Sequence, residues 1–192
     1  MDKTLLQDKS DEELARLMQS GKTELFSLLI ERYEKKIGRY ARKFLADSDD
    51  INDVLQEIFI KVYVNIKSFD TTRKFSSWIY RIAHNELVNA LKKREKRIFP
   101  IFNLDVFLPY NLSKDDFNKD IQTLDIKKTI DICLKKLELK YREPIILFYL
   151  DGLSYKEISE ILRVPISTVG IRIKRAKEKM KNILEKQKTN YE

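Results

Sequence analysis

Apolar residues in this chain recur every three to four positions, segment after segment, and little interrupts them. In "DDINDVLQEIFIKVYVNI" the residues Ile51, Val54, Leu55, Ile58 and Val62 fall on one side of a helix turning roughly 100° per residue. "KTELFSLLIERYEKKIGRYARKFL" and "SSWIYRIAHNELVNALKKREKR" repeat the pattern. No stretch from about Ser10 to Arg97 alternates as a strand would. Four glycines and four prolines among 192 residues leave few places to turn. An all-α fold of long helices is expected. Ser10 and Glu13, three apart ahead of "LARLM", form a capping box that opens the first helix, and Gly21 closes it.

The pattern breaks near Ile98. "IFPIFNLDVFLPYNLSKDDFNKD" holds two prolines, and Ile98 to Asp125 holds five aspartates against two lysines, a local charge of −3 in a chain of net charge +8. This predicts two small helical domains, residues 1–97 and 123–192, joined by a flexible acidic linker over 98–122. In the second domain Ser154 and Glu157 make another capping box. Pro165 stops that helix, and Ser167 is expected to cap the next. There Val169, Ile173, Ala176 and Met180 would face inward. Thr168, Ile171, Arg172, Arg175 and Lys179 would face outward, with Lys174 and Lys177 to one side. This is the layout of a helix-turn-helix, whose second helix enters the DNA major groove. Ser167 to Lys188 carries eight basic and two acidic residues, as phosphate neutralisation requires. A basic helix of an ordinary bundle would show the same pattern less the clustering. Arg163 stands where the tight turn favours a left-handed glycine, at a cost of about 1 kcal/mol.

A net charge of +8 favours an anionic partner, either nucleic acid or a membrane surface. The longest apolar run, "IILFYL", is far too short to span a bilayer. The N-terminus has no signal-peptide core, and the single Cys133 can form no internal disulfide, so a cytoplasmic location is expected. Cys133 reads as a small core residue. One histidine and one cysteine make no metal or nucleophile constellation, so neither an enzyme nor a cofactor is expected.

Two helix faces carry unusual chemistry. In "SSWIYRIAHNELVNALKKREKR", Ile79, Ala83, Leu87 and Ala90 face a core, while Trp78, Arg81, Asn85, Asn89, Lys92 and Lys96 lie opposite. One tryptophan, two amides and three cations suit a nucleic-acid strand: the ring stacks, the amides read edges, the cations follow the backbone. Alternatively Trp78 packs inward and the lysines merely end a helix. The preceding "SFDTTRKFSS" either forms a pocket for an extruded base or tucks Phe69 and Phe75 inward. On the helix from Ile51 to Ile66 the outward side carries Asp53, Gln56, Glu57, Ile60, Tyr63 and Val64. Acids beside exposed aliphatics repel DNA and suit a basic, partly apolar protein helix, unless the bundle covers both sides.

These segments, in this order, resemble a known family. "DDINDVLQEIFIKVY" resembles the polymerase-binding helix of bacterial sigma factors. "KFSSWIYRIAHNELVNALKKREKR" resembles their promoter-melting and −10-reading segment. "YREPIILFYLDGLSYKEISEILRVPISTVGIRIKRAKEKM" resembles their −35-reading helix-turn-helix. With two domains and a short linker, the chain is similar to the extracytoplasmic-function (ECF) group. The resemblance implies that Asp50, Asp53, Gln56, Glu57 and Phe59, on the face that also carries Ile60 and Tyr63, contact the clamp helices of core RNA polymerase. It implies that Phe69 to Phe75, Arg73 included, form a loop that captures a flipped −10 base. Trp78, Arg81, Asn85, Asn89 and Lys92 would handle the separated strand, and Ser167, Thr168, Arg172, Lys174 and Arg175 would dock at the −35 element. The implied partners are core polymerase, promoter DNA and an anti-sigma factor, often membrane-anchored. The linker would lie in a nucleic-acid channel until RNA displaces it. The sequence departs from the family at Gly170 and Ile171, where lysine and serine are common, and at His84 and Asn89, where arginine and aspartate are frequent. The competing reading, a free-standing helix-turn-helix regulator, leaves the Trp78 stripe and the acidic helix unexplained.

Overall fold

A computed structural model of the chain describes residues 7–98 and 121–189. The expected linker lies outside the described residues except at its ends, which are helical. Among the described residues there are helices and turns and no strand. The chain divides into two compact units, the first holding the first four α-helices and the second most of the remaining four.

In the first unit, α1 (Asp11–Gln19) opens on the expected capping box. The Glu13 N–H donates to Ser10 Oγ at 3.1 Å, and the Ser10 N–H donates to Glu13 Oε2 at 2.8 Å. The bond from the Ser10 N–H, and then the Ser10 hydroxyl, hold the Glu13 carboxyl below its ordinary range. Gly21, with φ of 104°, makes the left-handed turn that ends the helix. The next segment was expected as one helix from Lys22 to Leu45. It is instead a 3-10 turn (Thr23–Leu25), α2 (Phe26–Ala41) and a hydrogen-bonded turn that buries Phe44 and Leu45. Asp47 caps α3 (Ser48–Asn65), its carboxylate accepting from the N–H groups of Asp49 and Asp50. A second 3-10 turn (Ile66–Ser68) and a short loop lead into α4 (Phe75–Ile98). Helices α3 and α4 pack along each other, and Lys61 of α3 meets Glu86 of α4 at 2.7 Å. The core is most of the predicted stripes brought together: Ile51, Val54, Ile58 and Val62 of α3, Ile79, Ala83 and Leu87 of α4, with Leu14, Met18, Leu29, Tyr33, Ile37 and Tyr40, while Leu55 and Ala90 of those stripes are only half-buried.

In the second unit, α5 (Ile121–Lys135) and α6 (Leu139–Tyr149) precede the helix pair α7 (Tyr155–Leu162) and α8 (Ile166–Thr189). Ser154 and Glu157 cap α7 as expected. Arg163 follows with φ 54° and ψ 46°, the only non-glycine residue of positive φ among the described residues. The turn thus demands the left-handed conformation that its position implied. Ser167 is not the cap of the last helix. Pro165, which carries no N–H, sits just ahead of α8; its carbonyl accepts from the Val169 N–H at 3.2 Å, so the helix starts two residues before the expected position. Val169, Ile173 and Ala176 are buried against α6, and Met180 is half-buried. Cys133 is a buried core residue of α5, and burial raises its thiol.

Candidate functional site

Helix α3 turns its acids outward. Asp53, Gln56 and Glu57 are exposed and Asp50 half-buried, beside Ile60 at 47%, Tyr63 at 45% and Val64 at 69% exposure. At 100° per residue these positions share one face, opposite the buried stripe. Phe59 flanks the face, half-buried, with its ring 6.4 Å from Phe26. Phe26 also lies 5.2 Å from Tyr63, so an aromatic buttress from α2 stiffens the edge of the exposed patch. The face is neither covered by the unit nor suited to DNA; it presents negative charge around an apolar centre.

Helix α4 turns a different surface outward. Asn85, Asn89 and Lys92 are exposed, and Trp78 and Arg81 half-buried, along one stripe. Lys96 lies outside the described side chains. The Trp78 ring rests on Phe69 at 5.0 Å and Phe75 at 5.6 Å, and those two rings meet edge-on at 5.3 Å. Here the expected loop is corrected. Phe69 and Phe75 are 5% and 0% exposed, so their rings are core and floor rather than surfaces a base would touch. Burying two large rings outweighs leaving them in a polar loop. What the loop exposes is Thr72, Arg73 and Lys74. Asp70 shapes it: Oδ1 accepts from the Thr72 N–H at 3.0 Å and from Thr72 Oγ1 at 2.7 Å, which lowers the Asp70 carboxyl.

In the second unit, Ser167, Lys174 and Arg175 of α8 are exposed, as is Ile171 at 53%. Thr168 and Arg172 are half-buried. All five predicted positions therefore sit on or beside the outer face of α8. Lys179, further along, is tied down: its ammonium meets Glu138 Oε1 at 3.3 Å and lies 5.2 Å over the Tyr141 ring. Lys140, and then Lys179, hold the Glu138 carboxyl below its usual range. Among the described residues no cluster of three His, Cys, Asp or Glu side chains could hold a metal, and no helix is long and apolar enough to cross a membrane.

Residues 29–97 match the family Sigma-70 region 2, and residues 128–180 match Sigma-70, region 4. Over 177 residues, 87% of this chain and 92% of the relative, the sequence is 33% identical to the ECF RNA polymerase sigma factor SigW of Bacillus subtilis (strain 168). The chain belongs to the ECF sigma factors. It is also 33% identical to the ECF RNA polymerase sigma-E factor of Escherichia coli (strain K12), over 90% of this chain and 93% of that one. Two solved structures share the fold. One is CnrH in complex with the cytosolic domain of CnrY, with TM-score 0.69, 24% identity and coverage of 92% and 98%. The other is the sigma factor RpoE of Bartonella quintana with the anti-sigma factor NepR, with TM-score 0.65, 21% identity and coverage of 83% and 96%. As a sigma factor this chain binds core RNA polymerase and promoter DNA and directs promoter-specific initiation; the reading as a free-standing regulator is not favoured.

Sequence reasoning missed a set of contacts beside this surface. Glu12, Arg16 and Gln19 of α1 all reach the segment before α4, from 47 to 63 residues away in sequence. No local spacing signals such contacts.

Proposed function

We propose that the three faces divide the work of initiation among them. The acidic and aliphatic face of α3, with Asp50, Asp53, Gln56, Glu57, Phe59, Ile60 and Tyr63, docks on a basic helical surface of core polymerase, buttressed by Phe26. Charge complementarity steers this encounter, and the apolar centre holds it. The α4 stripe then receives the unpaired −10 strand. Trp78 offers a stacking surface, Asn85 and Asn89 offer amides to base edges, and Arg81 and Lys92 follow phosphates. An extruded base is read by the exposed loop around Thr72, Arg73 and Lys74. Helix α8 enters the major groove at the −35 element. Arg172 and Arg175 reach base edges or phosphates while Ser167, Thr168 and Lys174 fix its register. Residues 1–97 and 123–192 act as the two promoter-reading domains, with 98–122 between them. The chain acts without a catalytic centre or cofactor of its own, in the cytoplasm, and an anti-sigma factor, membrane-anchored in many such systems, withholds it.

The observation that carries this reading is the first unit's pair of outward faces, one acid and aliphatic, the other tryptophan, amide and cation. A DNA-binding regulator needs only the second kind. Run-off transcription with core polymerase over a promoter library tests it. Transcripts should depend on this chain and start from sites sharing −10 and −35 elements. Tight, sequence-specific binding by the free chain, with no effect on core polymerase, would reject it.

A further inference from the structure

Between the 3-10 turn at Ile66–Ser68 and the start of α4, the chain runs through the loop that carries Thr72, Arg73 and Lys74. Three side chains of α1 reach this segment. Gln19 Nε2 donates to Ile66 O at 2.8 Å and to Phe69 O at 2.7 Å, at the loop's entry. At its exit, Glu12 Oε1 accepts from the Phe75 N–H at 3.0 Å, placing a carboxylate at the N-terminus of α4. Between the two, Arg16 lies 3.5 Å from Thr71 Oγ1. Positions 12, 16 and 19 share one face of α1. The adjoining face, Leu14, Ala15 and Met18, is buried in the core. Asp11 anchors the same helix to α2 through the Tyr33 hydroxyl and Arg32, both at 2.6 Å. The loop is thus held at both ends by a helix that is itself fixed.

We infer that α1 is the frame of the base-reading loop, with Glu12 and Gln19 as positioning residues for −10 selectivity that act through the loop backbone and not by touching DNA. The inference rests on the reading of the loop proposed above. Its physical basis is preorganisation. A loop free to rearrange can adapt its contacts to a wrong base and recover part of the lost binding free energy, which narrows the difference between bases. A loop already held lets the difference between bases appear undiluted. The Ile66 carbonyl also accepts from the Phe69 N–H, but without Gln19 the Phe69 carbonyl, and without Glu12 the Phe75 amide, would turn to water and loosen the segment.

The test uses the full chain with core polymerase and promoters that vary one −10 position at a time, with −35 variants and core affinity as controls. Glu12→Ala and Gln19→Met should lower discrimination at one −10 position by about tenfold, the scale of one lost hydrogen bond that orders a loop. Other positions, the −35 preference and core binding should stay as in wild type. Glu12→Gln keeps an acceptor oxygen in place and should behave as wild type. Amide exchange at Asp70 to Phe75 should rise in the two disruptive variants while α3 stays protected. Gln19→Met keeps the volume of the side chain and carries the test if Glu12→Ala folds poorly. Thr72→Ala and Arg73→Ala separate the two layers of the argument. If they shift the −10 profile while Glu12→Ala and Gln19→Met leave it intact, the frame is overturned and the loop reading stands. If they do not shift it, the loop reading fails and the frame with it. A loss spread evenly over −10, −35 and core binding would show a purely structural role and overturn the inference.

Discussion

Single residues in the helix-turn-helix sit at odds with local preference, and each can be tested. Gly170 lies inside α8, where glycine is disfavoured by about 1 kcal/mol relative to alanine. A Cβ there would come 3.5 Å from Tyr155 Cε2, an ordinary contact. Gly170→Ala should therefore stabilise the chain by about 1 kcal/mol, read as a higher urea midpoint by circular dichroism. Arg163 has the opposite mismatch, a Cβ where φ is 54°. Arg163→Gly should relieve about 1 kcal/mol of strain, offset by a similar gain in freedom of the unfolded chain, so the midpoint should hold; a loss of the full glycine cost of about 1 kcal/mol would refute the strain. In the first unit, burial and then the bond to Asp11 push the Tyr33 phenol far above its ordinary value. It stays a donor at every pH near neutrality. Tyr33→Phe leaves Asp11 held by Arg32 and should cost about 1.5–3 kcal/mol. Arg163 was legible because a tight turn between two helices leaves its middle residue few conformations. Phe69 and Phe75 were not, because a loop has no period to say which way a ring points; burial in the shared core decided it.

At the level of elements, each helix face makes its own forecast. Reversing charge on α3 with Asp53→Lys and Glu57→Lys should weaken core binding by several kcal/mol if the face is complementary to a basic helix, since like charges then meet. An unchanged pull-down with core enzyme would remove that role. On α4, Trp78→Ala should leave core binding intact and slow strand opening by about 1–3 kcal/mol, the worth of one stacked ring. Permanganate footprinting on duplex and pre-melted templates separates opening from later steps; equal defects on both would exclude a role in opening. The α6–α8 junction answers to acid. Lys140 and Lys179 lower the Glu138 carboxyl, so its contribution is present above the ordinary carboxylate range and fades as pH falls through the lowered value. Glu138→Gln should flatten that acid limb of the unfolding profile. Both capping boxes and the buried stripes of α3, α4 and α8 were legible, because each is set by spacings within a few residues. The start of α8 was misplaced by two residues, because Pro165 and Ser167 both announce a helix start and the sequence does not rank them.

For the whole molecule, the surplus of positive charge is unevenly spread. A chain of net charge +8 keeps exposed acids on α3 and exposed cations on α8. Free chain should bind DNA weakly, with little sequence preference and a steep loss with salt, since phosphate contacts supply most of that affinity. Adding core polymerase should sharpen promoter preference, because two linked sites gain from each other only when their spacing is fixed. Filter binding across salt concentrations, with and without core enzyme, measures both effects. The division into two units was readable from the proline-bearing acidic stretch, and the family from three motifs in order. The bracing of the loop by α1 was not, because hydrogen bonds between residues 47 to 63 positions apart leave no mark on local patterning.

That long-range bracing changes what counts as a transplantable piece. The Sigma-70 region 2 match begins at residue 29, whereas Glu12, Arg16 and Gln19 lie upstream of it. A hybrid that exchanged only residues 29–97 with a relative would carry the donor's loop on the recipient's brace. Its base preference should blur, while a hybrid cut ahead of Ser10 should keep the donor's preference intact. In grafting terms, the proposed frame predicts that the portable reader of the −10 element starts at the first capping box, not at the first matched residue.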